Sequence, residues 1–140
     1  MATNNTSNDV ILLVEDEETQ ARPFAEMLEH RGFRVLNAYN GSDALELAAR
    51  YRPRLVIVDL LLVSHGDEMD GYELIGHLRR TKGTASVCIM AWTAHFIRPQ
   101  DEIRALRIGA DSFVNKDSEY GLLEARIEAL VRRANMDFSG

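Results

Sequence analysis

The sequence has one cysteine, Cys88. That excludes an intramolecular disulfide and any zinc cluster built from cysteines. Proline and glycine are also sparse, at 3 and 9 of 140 residues. With 46% hydrophobic and 27% charged residues, the composition is that of a globular domain and excludes collagen-like and disordered classes. No apolar run approaches the roughly 18 residues a membrane-spanning helix needs. The opening residues 1–8 are polar and lack the apolar stretch of a secretory signal. Basic residues are outnumbered, 16 Lys and Arg against 22 Asp and Glu for a net charge of -6. The chain therefore lacks the basic footprint that grips phosphate backbones, and direct nucleic-acid binding is not expected. What remains is a single cytoplasmic, reduced domain.

The apolar residues are organised in short blocks. Val10–Val14, Leu55–Val58 and Val87–Ala91 are apolar without alternation, the pattern of strands buried on both faces. Arg34–Ala38 is more polar and suits an edge, and Ser112–Asn115 is a short fifth strand. Amphipathic helical patterns fill the intervals. The first carries Phe24, Met27 and Leu28 on one face, with Pro23 expected in its first turn and Gly32 as its stop. The second runs from Asn40-Gly41 to Tyr51 with Leu45, Ala48 and Ala49 toward the core, and Pro53 follows it. Gly71, Leu74, Ile75 and Leu78 mark the third, and Pro99 to Ile108 is the fourth, closed by Gly109. Leu123, Ile127, Leu130 and Val131 mark the fifth. Five strand–helix repeats predict an α/β fold, a five-stranded parallel sheet covered on both faces by five helices. Residues 1–8 read as a flexible arm, 9–134 as the domain and 135–140 as a polar tail.

Open α/β sheets bind ligands outside the carboxyl ends of their strands. At those ends stand Glu15 and Asp16, Asp59, Thr93 and Lys116. Carboxylates brought together repel one another without a cation. An all-oxygen donor set of one or two carboxylates plus phosphate oxygens suits Mg²⁺. Lysine supplies a point charge and threonine a hydroxyl donor, the parts a transferring phosphoryl group requires. Asp59, at the centre of the sheet, is placed to act as a nucleophile. Taken singly, each residue has a plainer reading. The acidic pair can cap a helix, Asp59 can close a turn, Thr93 can cap the next helix, and Lys116 can be a solvated surface charge. Those readings do not explain why four compatible groups stand at four strand ends.

Together these segments resemble the receiver domain of two-component response regulators, over about Asp9 to Arg133. The resemblance is carried by Leu12-Leu-Val-Glu-Asp-Glu17, Leu55-Val-Ile-Val-Asp59, Asp70-Gly71, Met90-Ala-Trp-Thr-Ala94 and Gly109-Ala-Asp-Ser-Phe-Val-Asn-Lys116. It implies a flavodoxin-like sheet in the order 2-1-3-4-5. It implies that Asp59 accepts a phosphoryl group from a histidine kinase or a histidine phosphotransfer protein. Glu15, Asp16, Asp59 and the Leu61 backbone carbonyl would hold Mg²⁺. Thr93, the Ala94 N–H and Lys116 would bind the phosphoryl group, and Thr93 with Phe113 would form the switch. A homodimer is compatible with this reading, and the only catalysis implied is the domain's own phosphotransfer and dephosphorylation.

The sequence departs from the family in places. Asp117 stands where proline usually follows the lysine, and a cis bond before a non-proline residue costs about 3–4 kcal/mol, so a trans bond or a reshaped loop is expected. The loop between Asp59 and Asp70 is longer than usual, Val63 replaces a common proline, and Trp92 is bulky for its place. Cys88 is expected in the core, and the four histidines have no metal-ligand spacing. A haloacid-dehalogenase-type phosphatase would need an acid at position 61, which is Leu. A flavin carrier would need a hydroxyl-rich phosphate loop in place of Glu15-Asp16-Glu17-Glu18, and the P-loop pattern is absent. The remaining alternative is a receiver fold that docks partners without phosphorylation.

Overall fold

In the computed structural model, residues 9–62, 69–94 and 98–139 are described. Elements alternate along the chain as β1 (Val10–Val14), α1 (Glu18–His30), β2 (Arg34–Ala38), α2 (Gly41–Tyr51), β3 (Leu55–Asp59), α3 (Gly71–Arg80), β4 (Cys88–Thr93), α4 (Pro99–Ile108), β5 (Ser112–Asn115) and α5 (Tyr120–Ser139). All strand pairings are parallel, and the order is β2-β1-β3-β4-β5. The polar strand, β2, lies at an edge, as its composition predicts, and β1 and β3 take the centre.

Strand side chains alternate between the two faces. Leu12, Val14, Val56, Val58, Ile89 and Ala91 face one way, into a core completed by Ala44 and Ala48 of α2, Leu74, Ile75 and Leu78 of α3, and Ala105 of α4. Ile11, Leu13, Leu55, Ile57, Met90 and Trp92 face the other way, against Ala21, Phe24, Met27 and Leu28 of α1 and Leu123, Ile127 and Val131 of α5. Because both faces are covered, the central strands can be apolar at every position.

Four local expectations are corrected. Pro23 lies inside α1, beyond the first turn, so it removes an intrahelical N–H bond rather than occupying a position where that N–H has no partner. In α2, Gly41, Ala44 and Ala48 are buried while Ala49 is exposed. The inward stripe begins at Gly41, and Ala49 lies one helical step around from it. Cys88, at the start of β4, is only half-buried. Helix α5 continues to Ser139, so residues 135–139 extend the helix where composition reads as a tail.

Two devices bring α3 against the end of β3. Asp70 caps α3, accepting from the Glu73 N–H at 2.8 Å, while the Glu73 carboxylate accepts from the Asp70 N–H at 3.0 Å. Gly71 provides the clearance: a Cβ there would lie 2.3 Å from the Asp59 carbonyl oxygen and 2.6 Å from Leu60 Cα. The helix therefore starts directly on the backbone of the strand that carries Asp59.

Candidate functional site

Parallel pairing in register brings the carboxyl ends of β1, β3, β4 and β5 to one rim. There Val14 pairs with Val58, Asp59 with Trp92, and Thr93 with Asn115. Glu15 and Asp16 follow β1 directly, and Lys116 follows β5. Carboxylate oxygens of Glu15, Asp16 and Asp59 all lie within 4.8 Å of one another. Glu15, Asp59 and Thr93 are buried, at 1%, 4% and 7% exposure.

The Asp59 carboxylate has a partner on each oxygen. Oδ1 accepts the Leu61 N–H at 3.0 Å, and Oδ2 accepts Lys116 Nζ at 3.1 Å. Lys116 also donates to Glu15 Oε1 at 2.6 Å and to Gln20 Oε1 at 2.7 Å. Its ammonium lies 4.7 Å from the centroid of the Trp92 ring, and that ring is stacked on Phe24, with centroids 4.3 Å apart. The bulky Trp92 thus forms a floor under the lysine on the α1/α5 face. The Lys116 N–H donates to the Thr93 carbonyl at 2.7 Å, tying the lysine's backbone to the end of β4.

Glu15 Oε2 accepts the Glu17 N–H at 3.1 Å, while α1 begins after Glu17 with no side-chain cap. The acidic pair is therefore not the N-cap of α1. Burial pushes the Glu15 carboxyl up to about 7, with the nearby Asp59 charge adding to the rise and the Lys116 hydrogen bond opposing it. Three carboxylates face one ammonium, so the cluster is short of positive charge. A hard, oxygen-seeking dication fits this donor set.

The remaining expected residues occupy the same rim or its flank. Leu61 is exposed at 61%, and Ala94 is half-buried at the end of β4. Phe113 is half-buried on β5, packed against the core on the α2–α4 face, and borders a hollow shared with Arg98, Pro99, Glu102 and Asn115. The Lys116–Asp117 bond is trans. In the place where the family usually has proline, the Asp117 N–H donates to Asn115 Oδ1 at 2.8 Å. Val63 and the rest of the lengthened loop through Glu68 lie outside the described residues, as does His95. Sequence reading missed Gln20. It stands one helical turn beyond Asp16, but nothing in the chain signals that its amide meets a lysine 96 positions away.

Fold and site together define a doubly wound α/β domain with an acidic cluster and a lysine at the carboxyl rim of its sheet. The sequence profile of the response regulator receiver domain matches residues 11–128, and the chain belongs to that family, the receiver domains of two-component signalling. It is similar to the uncharacterized transcriptional regulatory protein YkoG of Bacillus subtilis, with 37% identity over 88% of this chain and 51% of that protein. Among solved structures, it is similar to the signal receiver domain of a signal transduction histidine kinase from Syntrophus aciditrophicus. That match has a TM-score of 0.78 and 31% identity, covering 89% of this chain and 90% of the other. The BeF3-activated receiver domain of RstA from Klebsiella pneumoniae aligns with a TM-score of 0.77 and 27% identity over 89% and 99% of the two chains. The chain spans about half the length of the curated relatives it matches. Among the described residues no helix is long and apolar enough to cross a membrane.

Proposed function

We propose that this domain takes a phosphoryl group from a phosphohistidine donor onto Asp59 and uses it to change a protein-binding surface. The observation that carries this reading is the buried Asp59 carboxylate, held by Lys116 Nζ at 3.1 Å beside the carboxylates of Glu15 and Asp16. In the reaction an Asp59 oxygen attacks phosphorus, the P–N bond to the donor imidazole breaks, and the ring nitrogen keeps the electron pair. Glu15, Asp16, Asp59 and the Leu61 carbonyl would hold Mg²⁺, which supplies neutralisation of the negative charge gathered there. Lys116 offers its ammonium to the phosphoryl oxygens. Thr93 and the Ala94 N–H donate to them from the end of β4. Movement of Thr93 toward the new group frees space that the half-buried Phe113 ring can fill, giving two packings of one surface.

A histidine kinase or histidine phosphotransfer protein is the matching partner, and a cytoplasmic location goes with it. We take the domain that begins at residue 9 and runs through α5 as the folded unit that performs the transfer. The test is incubation with Mg²⁺ and a small phosphodonor, followed by intact-mass measurement. One phosphate should be added to the wild type and none to Asp59→Asn. Equal labelling of the variant removes the assignment of Asp59. Absence of any Mg²⁺-dependent uptake by the wild type favours a docking module that works without phosphate.

A further inference from the structure

The lysine of the site is fully engaged. An ammonium has three N–H donors, and those of Lys116 go to Glu15 Oε1 at 2.6 Å, Gln20 Oε1 at 2.7 Å and Asp59 Oδ2 at 3.1 Å. Two of these acceptors are carboxylates. Gln20 is neutral and exposed, and it reaches in from α1, with its own Nε2 held by Glu17 Oε1. The bond to Asp59 is the longest of the three, so the ammonium is drawn toward the α1 side and away from the nucleophile. When a phosphoryl group occupies Asp59, the proton now on Oδ2 can turn to one of its oxygens. To offer a second proton, Lys116 must release either the Glu15 carboxylate or Gln20. All three bonds share the ammonium's charge, but Gln20 alone offers a neutral acceptor and no ion-pair attraction, so the amide is released first.

We propose that Gln20 is a positioning residue that restrains Lys116 and competes with the phosphoryl group for it, so that this one amide sets how tightly the site takes a dianion. The Trp92 ring provides the second half of the device. With its face 4.7 Å from Nζ and its plane fixed by the stack on Phe24, it gives the ammonium a surface to move across without losing all contact. Gln20 touches none of the reacting atoms and acts only through Lys116.

This inference rests on the phosphoacceptor reading, and its test separates the two. The probe is beryllofluoride with Mg²⁺, titrated by calorimetry. If the wild type shows no Mg²⁺-dependent binding, the phosphoacceptor reading fails and the proposal falls with it. Given wild-type binding, Gln20→Leu should bind the probe about threefold to tenfold more tightly, the net worth of one hydrogen bond that water only partly replaces. Affinity for Mg²⁺ alone should stay within about twofold, because Glu15 and Asp16 keep their places. A variant that had merely disturbed the start of α1 would move both affinities. Gln20→Glu should bind the probe more weakly, and by more than Thr19→Glu, which adds the same charge to the same exposed turn one residue away. Probe affinity unchanged or weakened in Gln20→Leu overturns the proposal, as does equal weakening in the two glutamate variants.

Discussion

The two ends of the sheet use the same materials to opposite effect. At the amino end, Arg79 of α3 donates to the carbonyls of Gly109, Ala85 and Val87 at 2.9, 3.0 and 2.6 Å. It also pairs with Asp111 at 2.9 Å, and that carboxylate in turn accepts the Ile89 N–H at 2.8 Å. One cation meets one anion, and backbone groups take up the remaining capacity. At the carboxyl end, Lys116 faces three carboxylates, two of them buried, with one neutral amide and one ring. The first arrangement is satisfied and ties α3 to β4 and β5. The second gathers three carboxylates around one ammonium, a donor set that could hold a metal ion. What separates a clamp from a site is therefore the ratio of charges and the share of hydrogen-bonding capacity taken by backbone.

The sharpest way to break this comparison is to delete the clamp. Arg79→Ala should cost about 2–3 kcal/mol in urea denaturation, chiefly because the carbonyls of Gly109, Ala85 and Val87 lose their shared donor, while the exposed Asp111 is rehydrated by water. Affinity for Mg²⁺ should hardly change. Coupled loss at both ends would show that the two are not separate devices.

The next effect reads the burial of Glu15, to which the nearby Asp59 charge adds. The Glu15 carboxyl is raised to about 7 in the folded protein from an ordinary 4.5. Between those values the unfolded chain releases this proton while the folded one keeps it, so folding stability falls as pH rises through that window. The loss should reach up to about 3 kcal/mol in metal-free protein. It should flatten in Glu15→Gln and shrink when Mg²⁺ is added. Denaturant midpoints measured from pH 4.5 to 7 check it.

A smaller effect tests how the site is placed. Gly71→Ala puts a methyl 2.3 Å from the Asp59 carbonyl oxygen, and relief requires α3 to back away from β3. A cost of about 1–3 kcal/mol is expected, together with weaker Mg²⁺ binding because the strand end shifts. Stability lost with metal affinity intact would mean that the site tolerates movement of α3.

Much of this was legible in the chain. Alternating apolar blocks and amphipathic stripes predict the strands and helices, and four polar strand ends predict the pocket. The errors have local causes. Sequence alone does not separate Ala49 from Ala48, because alanine carries almost no polarity signal, and only the registration of α2 on the sheet selects the stripe from Gly41 to Ala48. Pro23 suggests a first turn in the sequence because the start of α1 has no side-chain cap to mark it. Residue type alone points Cys88 to the core, but it stands at the opening of β4, where it is only partly buried against the core.

The sequence by itself determined the parallel α/β class, the placement of Glu15, Asp16, Asp59, Thr93 and Lys116 at strand ends, and the family resemblance, because periodicity and residue type act locally along the chain. Tertiary structure alone decided which acceptors hold Lys116, that Trp92 lies beneath it on Phe24, and that Gln20 joins the site. It also decided that Glu15 is buried deeply enough to resist ionisation. Each of these depends on distances between residues far apart in sequence, and such distances exist only once both faces of the sheet are packed.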